Sequence, residues 1–92
     1  MGINQTLKAL ADPVRRNILE MLKQGPKSAG EIAQAFELAP ATVSYHLSQL
    51  KKAGLLLEEK KKNFIYYRLD MTIFEEVLAW VRSLGGNENE KK

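Results

Sequence analysis

The sequence predicts a mainly α-helical domain with one small β-hairpin, in the order helix, helix, helix, helix, hairpin, helix. Three observations predict this fold class. Apolar residues recur at helical spacing over most of the chain. Proline and glycine residues stand where helices would begin and end. Residues rich in strand formers, with a basic turn among them, interrupt the helical pattern between positions 55 and 69.

The chain has 92 residues, the length of one small domain. We expect a single domain over residues 1–84 and a disordered polar tail over residues 85–92, where apolar residues are missing. Because a small domain buries a modest share of its surface, pairing with a second copy would add stability.

The composition argues against several classes of function. Cysteine is absent and His46 is the single histidine, so we expect no disulfide, no metal site and no other cofactor. No apolar run approaches the roughly 20 residues that span a bilayer, and no signal region precedes Lys8. We therefore expect a soluble, cytoplasmic protein without membrane insertion. The net charge of +3 is compatible with a polyanionic partner.

The first two helices are predicted from apolar spacing and one cap. Ile3, Leu7 and Leu10 favour a short helix as far as residue 11. Asp12 is suited to cap a second helix, with Pro13 at its first position, where no N–H is needed. The apolar side of this second helix consists of Val14, Ile18, Leu19 and Leu22, and Gly25-Pro26 ends it.

The third and fourth helices are short and close together. Ser28 and Glu31 form a capping box for the third helix, which carries Ile32, Ala33 and Phe36 on one side. After a tight connection over residues 37–39, Pro40 begins a fourth helix that runs to about Ala53. Gly54 then ends it.

The rest of the chain predicts a hairpin and a last helix. The strands are expected over residues 55–59 and 64–69, with a polar turn over residues 60–63. Thr72 with Glu75 forms a second capping box, and Gly85-Gly86 ends the last helix. Two tightly connected short helices followed by a hairpin form the winged helix-turn-helix arrangement.

The fourth helix has a polar side suited to DNA. Val43, Leu47 and Leu50 share its buried side. The following residues point away from that side or lie on its flanks: Ala41, Thr42, Ser44, Tyr45, His46, Ser48, Gln49 and Lys52. Their hydroxyl, amide and ring groups match base edges in a major groove, and residues 40–49 include no acid. An ordinary solvated helix face is the alternative, and for His46 a place at the edge of the core.

The hairpin tip is basic. Residues 51, 52, 60, 61 and 62 are half of the chain's lysines. We expect Lys60, Lys61, Lys62 and Asn63 to bind DNA backbone as a wing, with a solubilising turn as the alternative.

Two further questions stay open. Arg15 and Arg16 would contact phosphates or pair with acids, and Phe64, Tyr66 and Tyr67 would divide between core and strand surface or form a stacking platform.

Three segments resemble the ArsR/SmtB family of winged-helix repressors. Residues 9–19 (ALADPVRRNIL) resemble the family's opening motif, and residues 28–33 (SAGEIA) its first helix-turn-helix element. Residues 41–47 (ATVSYHL) with 50–55 (LKKAGL) resemble its recognition helix and the exit from it. The likeness extends from Ile3 to Leu84. It is greatest to the Sdp-type autorepressor branch, which lacks the metal site.

The resemblance implies a homodimeric repressor joined through its first and last helices and bound to a palindromic operator. In the family, the positions of Ala41, Thr42, Ser44 and Tyr45 face the DNA. The last helix has two adjoining apolar stripes, one for its own core and one for a partner. The expected dimer seam consists of Ile3, Leu7, Phe74, Val77, Trp80, Val81 and Leu84. A last helix sunk deeper into its own domain is the alternative.

Regulation and other classes of function remain to be weighed. The family's metal sensors use cysteines near residues 31–36 and histidine in the last helix, and this chain has neither. A regulatory protein, a small-molecule inducer or simple autoregulation would then relieve repression. The alternative function is a winged-helix protein-docking module without DNA binding. We expect no enzyme, because Ser44 and His46 lie two positions apart on a helix and do not face each other.

Overall fold

The computed structural model describes residues 3–86, and its elements follow the predicted order with one addition. The elements are α1 (Ile3–Ala11), α2 (Pro13–Leu22), β1 (Lys27–Ser28), α3 (Ala29–Phe36), α4 (Pro40–Lys52), β2 (Leu56–Lys61), β3 (Phe64–Leu69) and α5 (Met71–Leu84). The addition is β1, which the sequence did not predict. It pairs antiparallel with β3, so the hairpin belongs to a three-stranded sheet of order β1-β3-β2.

Two of the three predicted helix caps are confirmed. The Asp12 carboxylate accepts hydrogen bonds from the backbone N–H groups of Val14 (2.7 Å) and Arg15 (3.2 Å). At α3, the N–H of Glu31 donates to Ser28 Oγ at 3.1 Å, and the N–H of Ser28 donates to Glu31 Oε1 at 2.8 Å. These side chains satisfy N–H groups that a helix leaves without partners in its first turn.

The third predicted cap, Thr72, is wrong. The helix α5 begins one residue earlier, at Met71, and its cap is Asp70. The Asp70 carboxylate accepts from the N–H of Thr72 at 3.0 Å, so Thr72 already lies inside the first turn. Asp70 therefore caps α5 in place of the predicted box of Thr72 and Glu75.

The hairpin turn is shorter than predicted. Lys60 and Lys61 belong to β2, opposite Ile65 and Phe64 of β3, so they are not turn residues. The turn is the Lys62-Asn63 pair, in which Lys62 has a positive φ of 56°. A two-residue connection of this kind suits the twist of the two strands, and it lets pairing continue to the tip.

The core lies behind α4. Its largest fully buried apolar side chains are Ile18, Ile32, Val43, Leu50 and Leu55, which come from α2, α3, α4 and the segment before β2. The Thr6 hydroxyl donates to the carbonyl oxygen of Ala53 at 3.2 Å and so fastens α1 to the end of α4. Held in this way from one side, α4 leaves its other side free.

The last helix projects from the body of the domain. None of its residues is buried, and Ile73 and Phe74 are the α5 side chains that pack against the core cluster. The described chain measures 55 × 24 × 23 Å, so it is much longer than it is wide. The alternative of a last helix sunk into its own domain is therefore wrong. Residues 1–2 and most of the predicted tail, 87–92, lie outside the described residues.

Candidate nucleic-acid interface

The outward side of α4 is one exposed ridge. Ala41, Tyr45, Ser48 and Lys52 are all exposed, and their spacing places them in line along the helix. Tyr45 has 58% of its surface exposed, a high value for a large aromatic side chain. Thr42 and Ser44 are exposed on the two flanks. The ridge and its flanks therefore present a phenol, hydroxyls and an ammonium group to solvent, and these are groups that can pair with base edges.

The beginning of α4 leaves backbone donors uncapped. Its N-cap is Ala39, which has no side chain able to accept a hydrogen bond, and Pro40 occupies the first turn. The helix therefore presents free N–H groups at its positive end, which suits a DNA phosphate. Glu37, which has a positive φ of 55°, ends α3 and begins the tight connection to α4.

His46 does not lie on the outward ridge. It is buried, with 8% of its surface exposed, and its Nδ1 lies 3.4 Å from Nη1 of Arg15. This corrects its placement among the DNA-contacting residues, because position 46 falls between Val43 and Leu50 on the inner side of the helix. Gln49 is half-buried and lies at the flank of the ridge next to α1.

Arg15 and Arg16 are bound to the end of α1. Arg15 Nε donates to the carbonyl oxygen of Ala9 at 2.9 Å, and Arg16 Nη1 donates to that of Leu10 at 2.7 Å. Both cations thus neutralise the negative end of a helix. Among the described residues neither guanidinium pairs with an acid, so the acid-pairing alternative finds no support, and the phosphate alternative stays a prediction.

Asp12 completes this corner of the domain. Burial by itself raises the pKa of its carboxyl. The hydrogen bonds from the N–H groups of Arg15 and Val14, together with the charges of His46 and Arg15, outweigh that effect and hold the pKa below its ordinary value. The carboxylate is therefore the stable form of Asp12 at neutral pH.

The wing is tied to the end of α4. Lys51 Nζ lies 2.9 Å from Glu58 Oε1 of β2, and Glu58 is paired across the sheet with Tyr67. Burial raises the pKa of the Tyr67 hydroxyl, and the charge of Glu58 and its hydrogen bond raise it further. Tyr67 thus stays neutral, and it packs against the core beside Glu58.

The basic tip of the wing is exposed. Lys60, Lys61, Lys62 and Asn63 all face solvent, as a backbone-binding role requires. The aromatic residues of β3 divide as the simpler alternative predicts. Tyr67 packs on the core. Phe64 is 60% exposed and Tyr66 is half-buried, and the centroids of their two rings lie 6.3 Å apart.

Two short helices with a tight connection, followed by a sheet with a basic hairpin, define a winged helix-turn-helix protein. Residues 10–59 match the model of a helix-turn-helix domain family. The chain belongs to the ArsR/SmtB family of winged helix-turn-helix transcriptional regulators, as the sequence predicted.

Its relatives and structural neighbours include named members of this family. The chain is 39% identical over 79 residues to the transcriptional repressor SdpR of Bacillus subtilis, covering 86% of this chain and 88% of SdpR. The crystal structure of the ArsR family transcriptional regulator RHA00566 matches with a TM-score of 0.85 at 27% identity, covering 98% of this chain and 93% of the other.

A third similar protein is described as a homodimer. It is the winged helix-turn-helix DNA-binding domain of Mb0332 from Mycobacterium bovis, a possible ArsR-family regulator solved by NMR. The TM-score is 0.75 at 30% identity, with 96% of this chain and 82% of the other covered. Between residues 3 and 86 of the present chain, no three histidine, cysteine or acidic side chains form a group able to hold a metal. No helix in this range is long and apolar enough to cross a membrane.

Proposed function

We propose that the protein is a homodimeric transcriptional repressor that binds a palindromic DNA operator through the major groove. One observation carries the proposal: the exposed ridge of α4 has no acid between residues 40 and 49 and lies beside a basic wing. Ala41, Thr42, Ser44, Tyr45 and Ser48 would contact base edges, and Lys52 and the wing tip would bind the backbone.

The dimer is proposed from apolar surface that one copy leaves exposed. Leu78, Trp80, Val81 and Leu84 of α5 are between 42% and 65% exposed, and Leu7 of α1 is 39% exposed. Ile3, Phe74 and Val77 of the predicted seam are half-buried. An isolated domain rarely leaves a helix so uncovered, so a second copy is the expected cover.

The apolar surface continues between α2 and α5. An open groove of about 390 Å³ lies there, with an apolar floor formed by Leu19, Leu69, Met71 and Phe74.

In a two-fold dimer that binds DNA, the two α4 helices would be about 34–36 Å apart, the separation of successive major grooves. A palindromic operator would follow from this symmetry.

The protein-docking alternative is less favoured. It calls for an apolar patch on α4, whereas the ridge is polar apart from Ala41 and Tyr45. We assign no enzymatic activity, and a repressor of this kind would work in the cytoplasm, where its operator is. A regulatory protein or a small molecule would relieve repression.

The test is a fluorescence-anisotropy titration of the full chain. The DNA is the segment upstream of its own coding region, with a scrambled duplex of the same composition as control, at two salt concentrations. Selective, salt-sensitive binding by a dimer supports the proposal. Equal weak binding to both duplexes contradicts it for this segment, and a pull-down with a tagged copy would then test the docking alternative.

A further inference from the structure

A polar cleft separates α1 from the flank of α4. Its volume is about 460 Å³, and it is lined by Asn4, Gln5, Lys8, Ala9, Arg15 and Gln49. The lining includes two cationic groups, three carboxamides that donate hydrogen bonds, and no acid. Such a combination suits an anion with several acceptor oxygens.

We infer that this cleft binds a backbone phosphate of the operator, beside the groove that α4 occupies. The inference rests on the proposed DNA-binding function and extends it to α1, for which we predicted only a role in the dimer. None of the cleft residues on α1 was expected to contact DNA, and Arg15 was an open question.

The position of the cleft supports this assignment. Gln49 follows Tyr45 by one turn, so the cleft borders the exposed ridge directly. Lys51, which binds the wing through Glu58, lies on the opposite flank of the same helix. A helix in the major groove has a sugar–phosphate backbone on each side. The wing therefore faces one backbone and the α1 cleft faces the other.

The charge in the cleft is held in place before any ligand arrives. Arg15 Nε is bonded to the Ala9 carbonyl at 2.9 Å, and Nη1 contacts His46 at 3.4 Å. These contacts use part of the guanidinium's donors and leave others for an anion. Lys8 is exposed and adds a flexible ammonium group at the rim. The Asp12 carboxylate, next to this corner, is engaged by backbone N–H groups and does not line the cleft.

The same helix also carries part of the proposed dimer seam. On α1, Ile3 and Leu7 lie on one flank, while Asn4, Gln5 and Lys8 lie on the polar side, with Thr6 and Ala9 facing the core. A dimer that positions α1 thereby positions the cleft relative to the DNA.

The test is the salt dependence of operator binding by Lys8→Gln in the full chain. A plot of log K against log salt has a negative slope, and each lost phosphate contact makes that slope less steep by about one. We expect this loss for Lys8→Gln, with an unchanged preference for operator over scrambled DNA. Lys23→Gln is the matched control, because Lys23 is an exposed lysine directly after α2 that pairs with Glu20 at 3.2 Å. It should leave the slope unchanged.

A second variant tests the cleft without relying on a lysine. Gln5→Glu places a negative charge at the rim, and it should weaken binding to both duplexes by the same factor. A wild-type slope for Lys8→Gln, or wild-type affinity for Gln5→Glu, overturns the inference while leaving the proposed function intact. Failure of the wild-type chain to bind either duplex overturns both.

A third measurement separates DNA phosphate from a free anion. Thermal unfolding is compared in sodium phosphate and in sodium chloride at equal ionic strength. A stabilisation by inorganic phosphate that Lys8→Gln abolishes, together with an unchanged DNA salt slope, would show that the cleft takes a small anion, and the inference would be wrong. No such stabilisation, with a reduced slope, supports a phosphate held in the DNA backbone.

Discussion

Nη1 of Arg15 lies 3.4 Å from Nδ1 of His46, and this contact connects the beginning of α2 to the inner side of α4. The contact joins a guanidinium to a buried imidazole ring that lies 31 positions further along the chain. The histidine therefore positions Arg15 and the recognition helix relative to each other, and it is turned away from the surface that the operator would meet.

The first prediction concerns His46. His46→Leu replaces the imidazole with an apolar side chain of similar size and removes the ring nitrogen that contacts Arg15, so the variant should lose about 1–3 kcal/mol of unfolding free energy in urea. Its preference among operator duplexes with single base changes should stay that of the wild type. A relaxed preference at one base position would return His46 to the base-contacting residues.

His46 also shows what a sequence can and cannot predict. Helical spacing places position 46 between Val43 and Leu50, yet a polar, titratable side chain favoured a place on the flank of the exposed face. Its partner, Arg15, lies 31 positions away in the chain, and no local pattern connects the two. A buried polar residue is predictable only when its partner is known.

Local signals gave the reliable predictions. The caps at Asp12 and Ser28 depend on atoms within three residues, so spacing alone was sufficient. The strand β1 could not be predicted, because two residues are too few to show alternation of polar and apolar side chains. It is a strand because it pairs with Tyr66 and Tyr67 of β3. The hairpin tip was placed too early because lysines are poor strand formers, although Lys60 and Lys61 complete the ladder.

The second prediction concerns Tyr45, the most exposed aromatic residue of α4. Tyr45→Ala should cost about 1–3 kcal/mol of operator binding if the phenol makes a good base contact, with a smaller loss on scrambled DNA. Asn17→Ala, an exposed polar residue on α2, is the control. Competition titrations with labelled operator measure the difference. Equal losses on both duplexes would remove Tyr45 from the base-contacting residues.

The third prediction concerns the wing. Lys61→Gln should weaken binding to all DNA alike, because phosphate contacts carry no sequence information. It should also make the salt dependence of log K less steep by about one unit. Lys23→Gln again serves as the control. Anisotropy titrations at four salt concentrations give the slope. If the slope of Lys61→Gln matches that of the wild type, this lysine is ordinary solvated surface.

The fourth prediction concerns the pH dependence of stability at Asp12. Its pKa is lower in the folded chain than in the unfolded one, so the carboxylate stabilises the fold above the unfolded pKa of about 3.9, and this contribution is lost as the pH falls through the folded value. Asp12→Asn keeps a capping side chain without the charge. The wild type should be the more stable at pH 7, and the gap should close in acid. Urea unfolding across this range measures it, and a gap that is the same at both ends would contradict the assignment.

The fifth prediction concerns the proposed dimer seam. Trp80 is 42% exposed on the apolar side of α5, where a second copy would cover it. Trp80→Glu places a charge in that contact, which would be desolvated without a partner, so the variant should sediment as a monomer and bind the operator more weakly. Ala79→Glu is the matched control, since residue 79 lies on the polar side of the same helix beside Glu75 and Arg82. It should remain a dimer. If Trp80→Glu sediments as a dimer too, the copies associate through another surface, and the α5 seam is wrong even where the chain binds DNA.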